Sequence, residues 1–180
     1  MTTIQTIIFY TLLIFIFFAC NSTTQKPMHE MKSYDGPVAI FNNINSLFSD
    51  SAKVKVRLTA PLQQEYLNGD RMFPKGIKVY FLEKDGTAKS SLEGNYAKYT
   101  KAKDEWEVRG NVLIKNIVEN KKLNTEELYW NPGNKKIYTQ KFVRIETPDE
   151  ILTGNGLDAN QDFKYYKIRN PTGVFSVKNY

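Results

Sequence analysis

The residues best able to do covalent or metal chemistry are few in this 180-residue chain and are not grouped. Cys20 is the single cysteine and His29 the single histidine, whereas an activated nucleophile needs a base beside it and zinc usually needs several such ligands. The adjacent carboxylates Glu126 and Glu127 point to opposite sides if their segment is a strand, which does not suit a paired acid and base. No Gly-x-Ser-x-Gly elbow and no glycine-rich phosphate loop occurs. The sequence therefore predicts a protein that is not an enzyme and needs no cofactor and no metal.

The amino-terminal segment decides where the rest of the chain is located. Residues 1–20 carry no charge, and residues 7–18 form an apolar run. This run is too short to span a hydrocarbon core of ~30 Å, but its length is typical of a signal peptide. Ala19 and Cys20 follow directly and resemble a bacterial lipobox, which implies cleavage before Cys20 and acylation of its thiol. An uncleaved membrane anchor with an incidental cysteine is the alternative, and either one places the remainder outside the cytoplasmic membrane, tethered to a bilayer.

Residues 21–50 are polar and weakly patterned, and we interpret them as a flexible tether. Within this tether, residues 36–41 are a candidate first edge strand, and His29 is expected to be solvated. The folded domain is predicted to occupy residues 51–180.

From residue 53 onward the sequence predicts β structure. Residues 53–58 alternate between cationic and apolar side chains, and Asp85-Gly86 is a hairpin signal. No segment after Cys20 shows ten or more residues of convincing helical period. A solvated face is the simpler interpretation of the three cations of residues 53–58, and a phosphate-binding ladder is the alternative; they are Lys53, Lys55 and Arg57.

A strand-turn-strand unit is written three times between residues 79 and 157. Each copy closes on Leu-x-(Gly/Thr)-x-x-(Ala/Leu), beginning at Leu92, Leu123 and Leu152. The first and last positions of this motif are five residues apart and would face opposite sides of a straight strand. A bulge or bend near the third position would bring both apolar residues to one face. The repeat therefore predicts strands that bend together into an open or V-shaped roll with an apolar inner face.

The formal net charge of +6 favours acidic partners, such as phosphorylated lipid or an anionic membrane, although a merely solvated basic surface is equally compatible with it. Nucleic acid is disfavoured as a partner by the export signal.

The order and spacing of several motifs over about residues 50–170 resemble the LptC family, the periplasmic component of the lipopolysaccharide export machine. No single motif is diagnostic; the set is Leu58-Thr59-Ala60-Pro61, Val79-Tyr80-Phe81-Leu82-Glu83-Lys84-Asp85-Gly86, Leu92-Glu93-Gly94-Asn95-Tyr96-Ala97, Gly110-Asn111-Val112, Leu123-Asn124-Thr125-Glu126-Glu127-Leu128 and Leu152-Thr153-Gly154-Asn155-Gly156-Leu157. The resemblance implies an all-β, open β-jellyroll of antiparallel strand-turn-strand units with an amino-terminal membrane anchor.

The resemblance also implies partners. The apolar interior would receive the lipid A chains of lipopolysaccharide from the inner-membrane Lpt ABC transporter complex and pass them to an LptA-like bridge protein. ATP hydrolysis would belong to the partner subunits. The edge meeting the inner-membrane complex would lie near residues 54–58 and the edge meeting the bridge near residues 163–177. The usual family anchor is a single transmembrane helix, so the lipobox-like Cys20 is a departure.

Alternation along the strands gives the candidate lipid-contacting residues, and plain core packing is the alternative for each of them. They are Val54, Val56, Leu58, Val79, Phe81, Leu92, Tyr96, Val108, Val112, Ile114, Leu123, Val143, Ile145 and Leu152. Two other functions remain open: a membrane-tethered β scaffold that assembles envelope proteins without carrying lipid, and a bridge or outer-membrane component of the same superfamily.

Overall fold

The structure is a computed structural model that describes residues 34–172. Most of these residues lie in strands. The expectations for the signal segment, Cys20, His29 and a last strand at residues 174–177 lie outside these residues. Between residues 34 and 172, no helix is long and apolar enough to cross a membrane. The strands are β1 (Ala39–Asp50), β2 (Lys53–Glu65), β3 (Arg71–Phe73), β4 (Ile77–Leu82), β5 (Ala88–Gly94), β6 (Tyr96–Thr100), β7 (Glu105–Asn116), β8 (Lys121–Asn131), β9 (Lys136–Glu146), β10 (Ile151–Asn160) and β11 (Tyr166–Thr172).

All strand pairs are antiparallel and belong to one sheet. From β7 the strands follow in sequence order through β8, β9 and β10 to β11. Between β2 and β7 the sheet divides into two paths, one through β4 and β5 and the other through β3 and β6. The two paths separate at the break between β3 and β4 and at the break between β5 and β6. We therefore regard β3 and β4 as one strand interrupted by a bend, and β5 and β6 as another.

The bends lie side by side across the sheet. β5 ends at Gly94 and β6 begins at Tyr96, and the β7–β8 register shifts between Arg109 and Val112, where Gly110 and Asn111 have positive φ. Further shifts lie between residues 125 and 129 of β8 and between residues 155 and 157 of β10. Bulges bend a strand and increase its twist, so a row of them folds the whole sheet along one line. The bend that the repeated motif predicts is confirmed. It lies one or two residues beyond the third residue of the Leu-x-(Gly/Thr)-x-x-(Ala/Leu) motif.

The fold line divides the sheet into two walls. The first wall comprises residues 53–59 of β2, β4, β5, residues 112–116 of β7, 121–125 of β8, 143–146 of β9 and 151–154 of β10. The second wall comprises residues 62–65 of β2, β3, β6, residues 105–109 of β7, 128–131 of β8, 136–139 of β9 and 157–160 of β10. The outermost strands, β1 and β11, pair along both walls. The walls face each other, because Phe81 of the first and Trp130 of the second meet with ring centroids 5.3 Å apart.

The hydrophobic core fills the space between the walls, and the closing motifs supply both sides of it. Leu92 and Ala97 are both buried, as are Leu123 and Leu128, although each pair is five residues apart. This burial is what the predicted bends require. Apolar surface removed from water is worth about 25 cal/mol per Å², so the shared core is what holds the folded sheet closed.

The amino-terminal boundary of the sheet differs from the prediction. Residues 39–50 form β1, which pairs with β2 along its length, so the sheet begins within the segment interpreted as a tether. The candidate edge strand at residues 36–41 is confirmed only for residues 39–41, because beyond them polar residues interrupt the alternation and most apolar residues stay exposed; among these are Ile40, Phe41, Leu47 and Phe48. An edge strand needs only one hydrogen-bonding neighbour, and β2 supplies it.

Two further boundaries are corrected by the structure. Pro61 does not end β2, which continues to Glu65; Pro61 sits at the bend, opposite Asn43 with φ 51°, where the register omits the pair. Pro61 has no pairing partner in β1, β3 or β4, so its missing N–H removes no hydrogen bond between strands. Phe163, predicted to begin a strand, instead lies in the turn before β11 with φ 53°.

Candidate functional site

An opening between the two walls is the candidate functional site, and we call it the mouth. It has a volume of about 580 Å³ and lies between the β1–β2 and β4–β5 turns on one side and β3, the β6–β7 turn and the β8–β9 turn on the other. A larger groove of about 1220 Å³ crosses the outer face along the fold line. That groove lies outside the two walls, whereas the mouth opens into the apolar space between them, so we favour the mouth as the candidate site.

Aromatic rings form the floor of the mouth. Trp106 stacks on Trp130 with centroids 5.9 Å apart, and Phe81 meets Trp130 edge-on. Phe73 and Tyr99 flank Trp106 at 5.4 and 5.1 Å. These residues occupy inward-facing positions near the strand ends of β3, β4, β6, β7 and β8, where the alternation of each strand delivers one large ring to the same place.

Cations surround this apolar floor. Four of them come from both walls and have no carboxylate within ion-pair distance among the described residues; they are Lys55, Arg71, Lys84 and Lys135. The Arg71 guanidinium lies 4.5 Å from the Tyr99 ring centroid and 5.6 Å from that of Trp106. This cation–π contact fixes a charge at the edge of the floor.

The carboxylates at the mouth have partners of their own. Tyr99 donates a hydrogen bond to Asp104 at 3.1 Å, and Glu83 lies 3.8 Å from Lys89. Burial of its ring raises the pKa of Tyr99, and the hydrogen bond to Asp104 raises it further, so this phenol stays neutral at physiological pH. The mouth therefore combines an apolar floor with a rim on which positive charge exceeds negative charge.

The space between the walls is closed at its other end, which we call the sealed end. The Asn116 amide donates to the Asp162 carbonyl at 3.2 Å, and Lys89 lies 3.6 Å from the Asp162 carboxylate. Phe163 is fully buried and stacks on Tyr166 with centroids 5.1 Å apart. Trp130 donates to Gln161 at 3.2 Å, so this turn also borders the mouth. The β10–β11 turn thus bridges the walls and fills the space between them.

Most of the residues expected to contact lipid are packed into the core. Val56 and Leu152 are half-buried against the core, and Val54 is half-buried outside it. Only Val56 and Phe81 of the predicted set line the mouth. The fully buried members are Leu58, Val79, Phe81, Leu92, Val108, Val112, Ile114, Leu123, Val143 and Ile145.

Tyr96 is a correction. Its neighbour Ala97 is the buried residue of β6, so Tyr96 faces the outer side of the second wall, where Glu107 and Arg109 influence it. Unbroken alternation from Leu92 predicts Tyr96 inside, whereas the bend at Asn95 between β5 and β6 turns Ala97 inward and Tyr96 outward.

Sequence reasoning missed most of the mouth. Trp130 is a single aromatic residue near the end of its strand, and Lys84 and Lys135 lie in turns that alternation does not reach. Lys55 is the one cation of residues 53–58 that lines the mouth, so the proposed ladder is not brought together there as a unit. A signal was present in the two tryptophans, since large aromatic residues often anchor binding sites.

The sheet has its outer edges at β1 and β11 within the described residues, because β1 pairs only with β2 and β11 only with β10. The amino-terminal edge expected near residues 54–58 is thus wrong, since β1 covers β2. The carboxyl-terminal edge falls within the predicted range.

Comparison with known proteins agrees with the motifs. A family model described as "Lipopolysaccharide-assembly, LptC-related" matches residues 6–170. No curated protein matches the chain.

Proposed function

This chain belongs to the LptC family of lipopolysaccharide-assembly proteins, and we propose that it carries lipopolysaccharide by holding lipid A acyl chains at the mouth between its two walls. Family membership involves the chain in lipopolysaccharide transport and in the Lpt complex. The acyl chains are received from the inner-membrane ABC extractor and passed to the periplasmic bridge protein.

The observation that carries this proposal is the aromatic floor at an opening between the walls. Phe81, Trp106 and Trp130 line this opening, and because only 3–5% of each residue is exposed, acyl chains gain apolar surface there by inserting against the rings as the walls part. Covering that surface with acyl chains gains about 25 cal/mol for each Å² removed from water and imposes no direction on the contact. Such a site suits flexible chains that must be released again.

The free edges support an arrangement of partners. An exposed edge strand accepts another strand through main-chain hydrogen bonds, which would extend the apolar space from one protein to the next. We assign β1 to the inner-membrane complex and β11 to the bridge. The exposed apolar side chains of β1, Ile40 and Leu47 among them, favour its being covered by a partner.

The anchor remains part of the proposal. The family places the chain in the periplasm tethered to the inner membrane, and we propose that acylated Cys20 or an uncleaved amino-terminal helix provides the tether. The intact mass of the protein extracted from membranes distinguishes the two: loss of residues 1–19 with added acyl mass indicates a lipoprotein, and the full unmodified chain indicates a helix.

In-cell photocrosslinking tests the transport function. A photoreactive residue replaces Val56, which is half-buried and lines the mouth, and in a matched control replaces its neighbour Arg57, which is exposed on the opposite face. We expect a lipopolysaccharide adduct from position 56 and none from position 57. Adducts to proteins alone at both positions would contradict lipid carriage and favour the scaffold function.

A further inference from the structure

Four cations surround the mouth, and binding acyl chains on the apolar floor does not by itself need them. Lys55 and Lys84 come from the first-wall side, and Arg71 and Lys135 come from the second. These four side chains therefore flank the same opening from opposite directions. Asp50, Glu83 and Asp104 line the same opening, as does Lys89, which pairs with Glu83 and Asp162, so the four unpaired cations leave the rim net positive.

Arg71 is the most fixed member of this rim. Its guanidinium lies over Tyr99 and beside Trp106, which themselves belong to the aromatic floor. The hydroxyl of Tyr99 is held by Asp104 at 3.1 Å, so the ring under the guanidinium is restrained at both ends. A planar cation placed this way offers several N–H donors at the boundary between apolar floor and solvent.

We infer that this rim, Lys55, Arg71, Lys84 and Lys135, binds a phosphate group on the head of the lipid whose acyl chains the floor receives. The inference rests on the proposed function and deepens it by naming the headgroup chemistry. Guanidinium and ammonium groups form short, charge-assisted hydrogen bonds with phosphate oxygens. With the phosphate at the rim, the acyl chains point inward and the sugar stays outside, so the rim sets the orientation of the bound lipid.

The binding test uses the full chain in detergent and two acylated probes. The first is hexa-acylated lipid A carrying both of its phosphates, and the second has the same acyl chains but no phosphate. The variant pair is Arg71→Gln with Lys135→Gln, and the control pair is Lys115→Gln with Lys122→Gln, which removes two cations that face each other across β7 and β8 away from the mouth.

We expect wild type to prefer the phosphorylated probe, and the rim pair to lose roughly tenfold of that affinity for each charge-assisted contact removed. Its affinity for the phosphate-free probe should not change, and the control pair should bind like wild type. A second rim pair, Lys55→Gln with Lys84→Gln, leaves the Arg71 stack intact and should show the same selective loss. Thermal unfolding of each variant verifies the fold.

Three results would overturn the inference. Equal binding of the phosphorylated probe by wild type and both rim pairs would exclude the rim as a phosphate site, while position 56 adducts would leave the proposed function standing. Equal losses in rim and control pairs would indicate only general attraction between charges. Competition by millimolar inorganic phosphate without any lipid selectivity would assign the rim to free phosphate. Failure of wild type to bind either acylated probe would instead remove the proposed function.

Discussion

The mouth and the sealed end belong to one space between the same two walls, yet they differ in what fills it. At the mouth, Trp106 and Trp130 line an opening bordered by cations. At the sealed end, Phe163 occupies the space completely, and the β10–β11 turn is fastened to Asn116 and Lys89 of the opposite wall. Both ends arise from equally regular alternation, so alternation identifies an inner face without saying whether that face is filled.

The difference shows that the interior is not a uniform trough. Near the sealed end, interior residues such as Ile114 and Leu123 have the burial of ordinary core. Near the mouth, Val56 is only half-buried and opens toward the cavity. Phe81, Trp106 and Trp130 at the mouth are buried core residues as well, so a ligand received there contacts residues that also hold the fold together.

The largest expected effect comes from placing a charge at each region. Ile114→Asp leaves an unpaired carboxylate in the filled core and should lower the free energy of unfolding by about 5 kcal/mol or more, enough to unfold a domain of ordinary stability. Val56→Asp keeps its carboxylate near solvent at the mouth and should preserve the fold while weakening binding of the acylated lipid A probes in detergent. Urea denaturation followed by circular dichroism measures the free energy of unfolding of both variants. Equal stability losses for the two variants would contradict the distinction between a filled sealed end and an open mouth.

Removing the aromatic ring of the sealed end should have the next largest effect. Phe163→Ala leaves a cavity in a fully buried site and should lower the free energy of unfolding by about 3–5 kcal/mol. Tyr165→Ala, an exposed aromatic residue of the same turn, should change it by less than about 0.5 kcal/mol. Chemical denaturation of both variants is the measurement, and a small effect of Phe163→Ala would mean that the turn only covers the interior.

Removing the hydrogen bonds that hold the β10–β11 turn should have a smaller effect. Asn116→Ala removes the amide that donates to Asp162 and the side-chain oxygen that accepts from the Glu119 N–H at 2.8 Å. We expect a loss of about 1–2 kcal/mol, with faster hydrogen exchange concentrated in residues 160–166. Asn124→Ala, an exposed amide on the outer groove, is the control and should leave exchange in that turn unchanged.

The smallest expected effect concerns β11, which extends from the sealed end to the edge of the sheet. Arg169 donates two hydrogen bonds to Asp158 at 2.6 and 2.7 Å, and these bonds hold the pKa of the Asp158 carboxyl below its ordinary value of 3.8. Because the pKa is lowered in the folded state, the pair stabilises the fold above pH 3.8, and the stabilisation is lost as the pH falls through the lower, folded-state pKa. Asp158→Asn should thus lower the unfolding temperature slightly at neutral pH, and the two proteins should converge in strong acid. A difference that persists at low pH would show that packing rather than charge is affected.

Particular residues show how far the sequence could be interpreted. The repeated leucine motifs predicted both the strands and their bends, because a buried pair five residues apart is compatible with β structure only if the strand is bent. Plain alternation from Leu92 misplaced Tyr96, because it ignores the bend that turns Ala97 inward instead. Alternation found only the first residues of β1, within the candidate strand at residues 36–41, because an exposed edge strand has no strict pattern to detect.

The sequence by itself determined the all-β class, the alternation that divides inner from outer residues, and the bends that fold the sheet. It also carried the ordered motifs by which the family is identified. These are local properties, set by the period of a strand and by the residues a bulge tolerates. Only the tertiary structure decided where the walls part and where a turn seals them, because that depends on rings and cations from distant turns meeting in space. Arg71 illustrates this, because its guanidinium takes its role from the rings of Tyr99 and Trp106 on other strands.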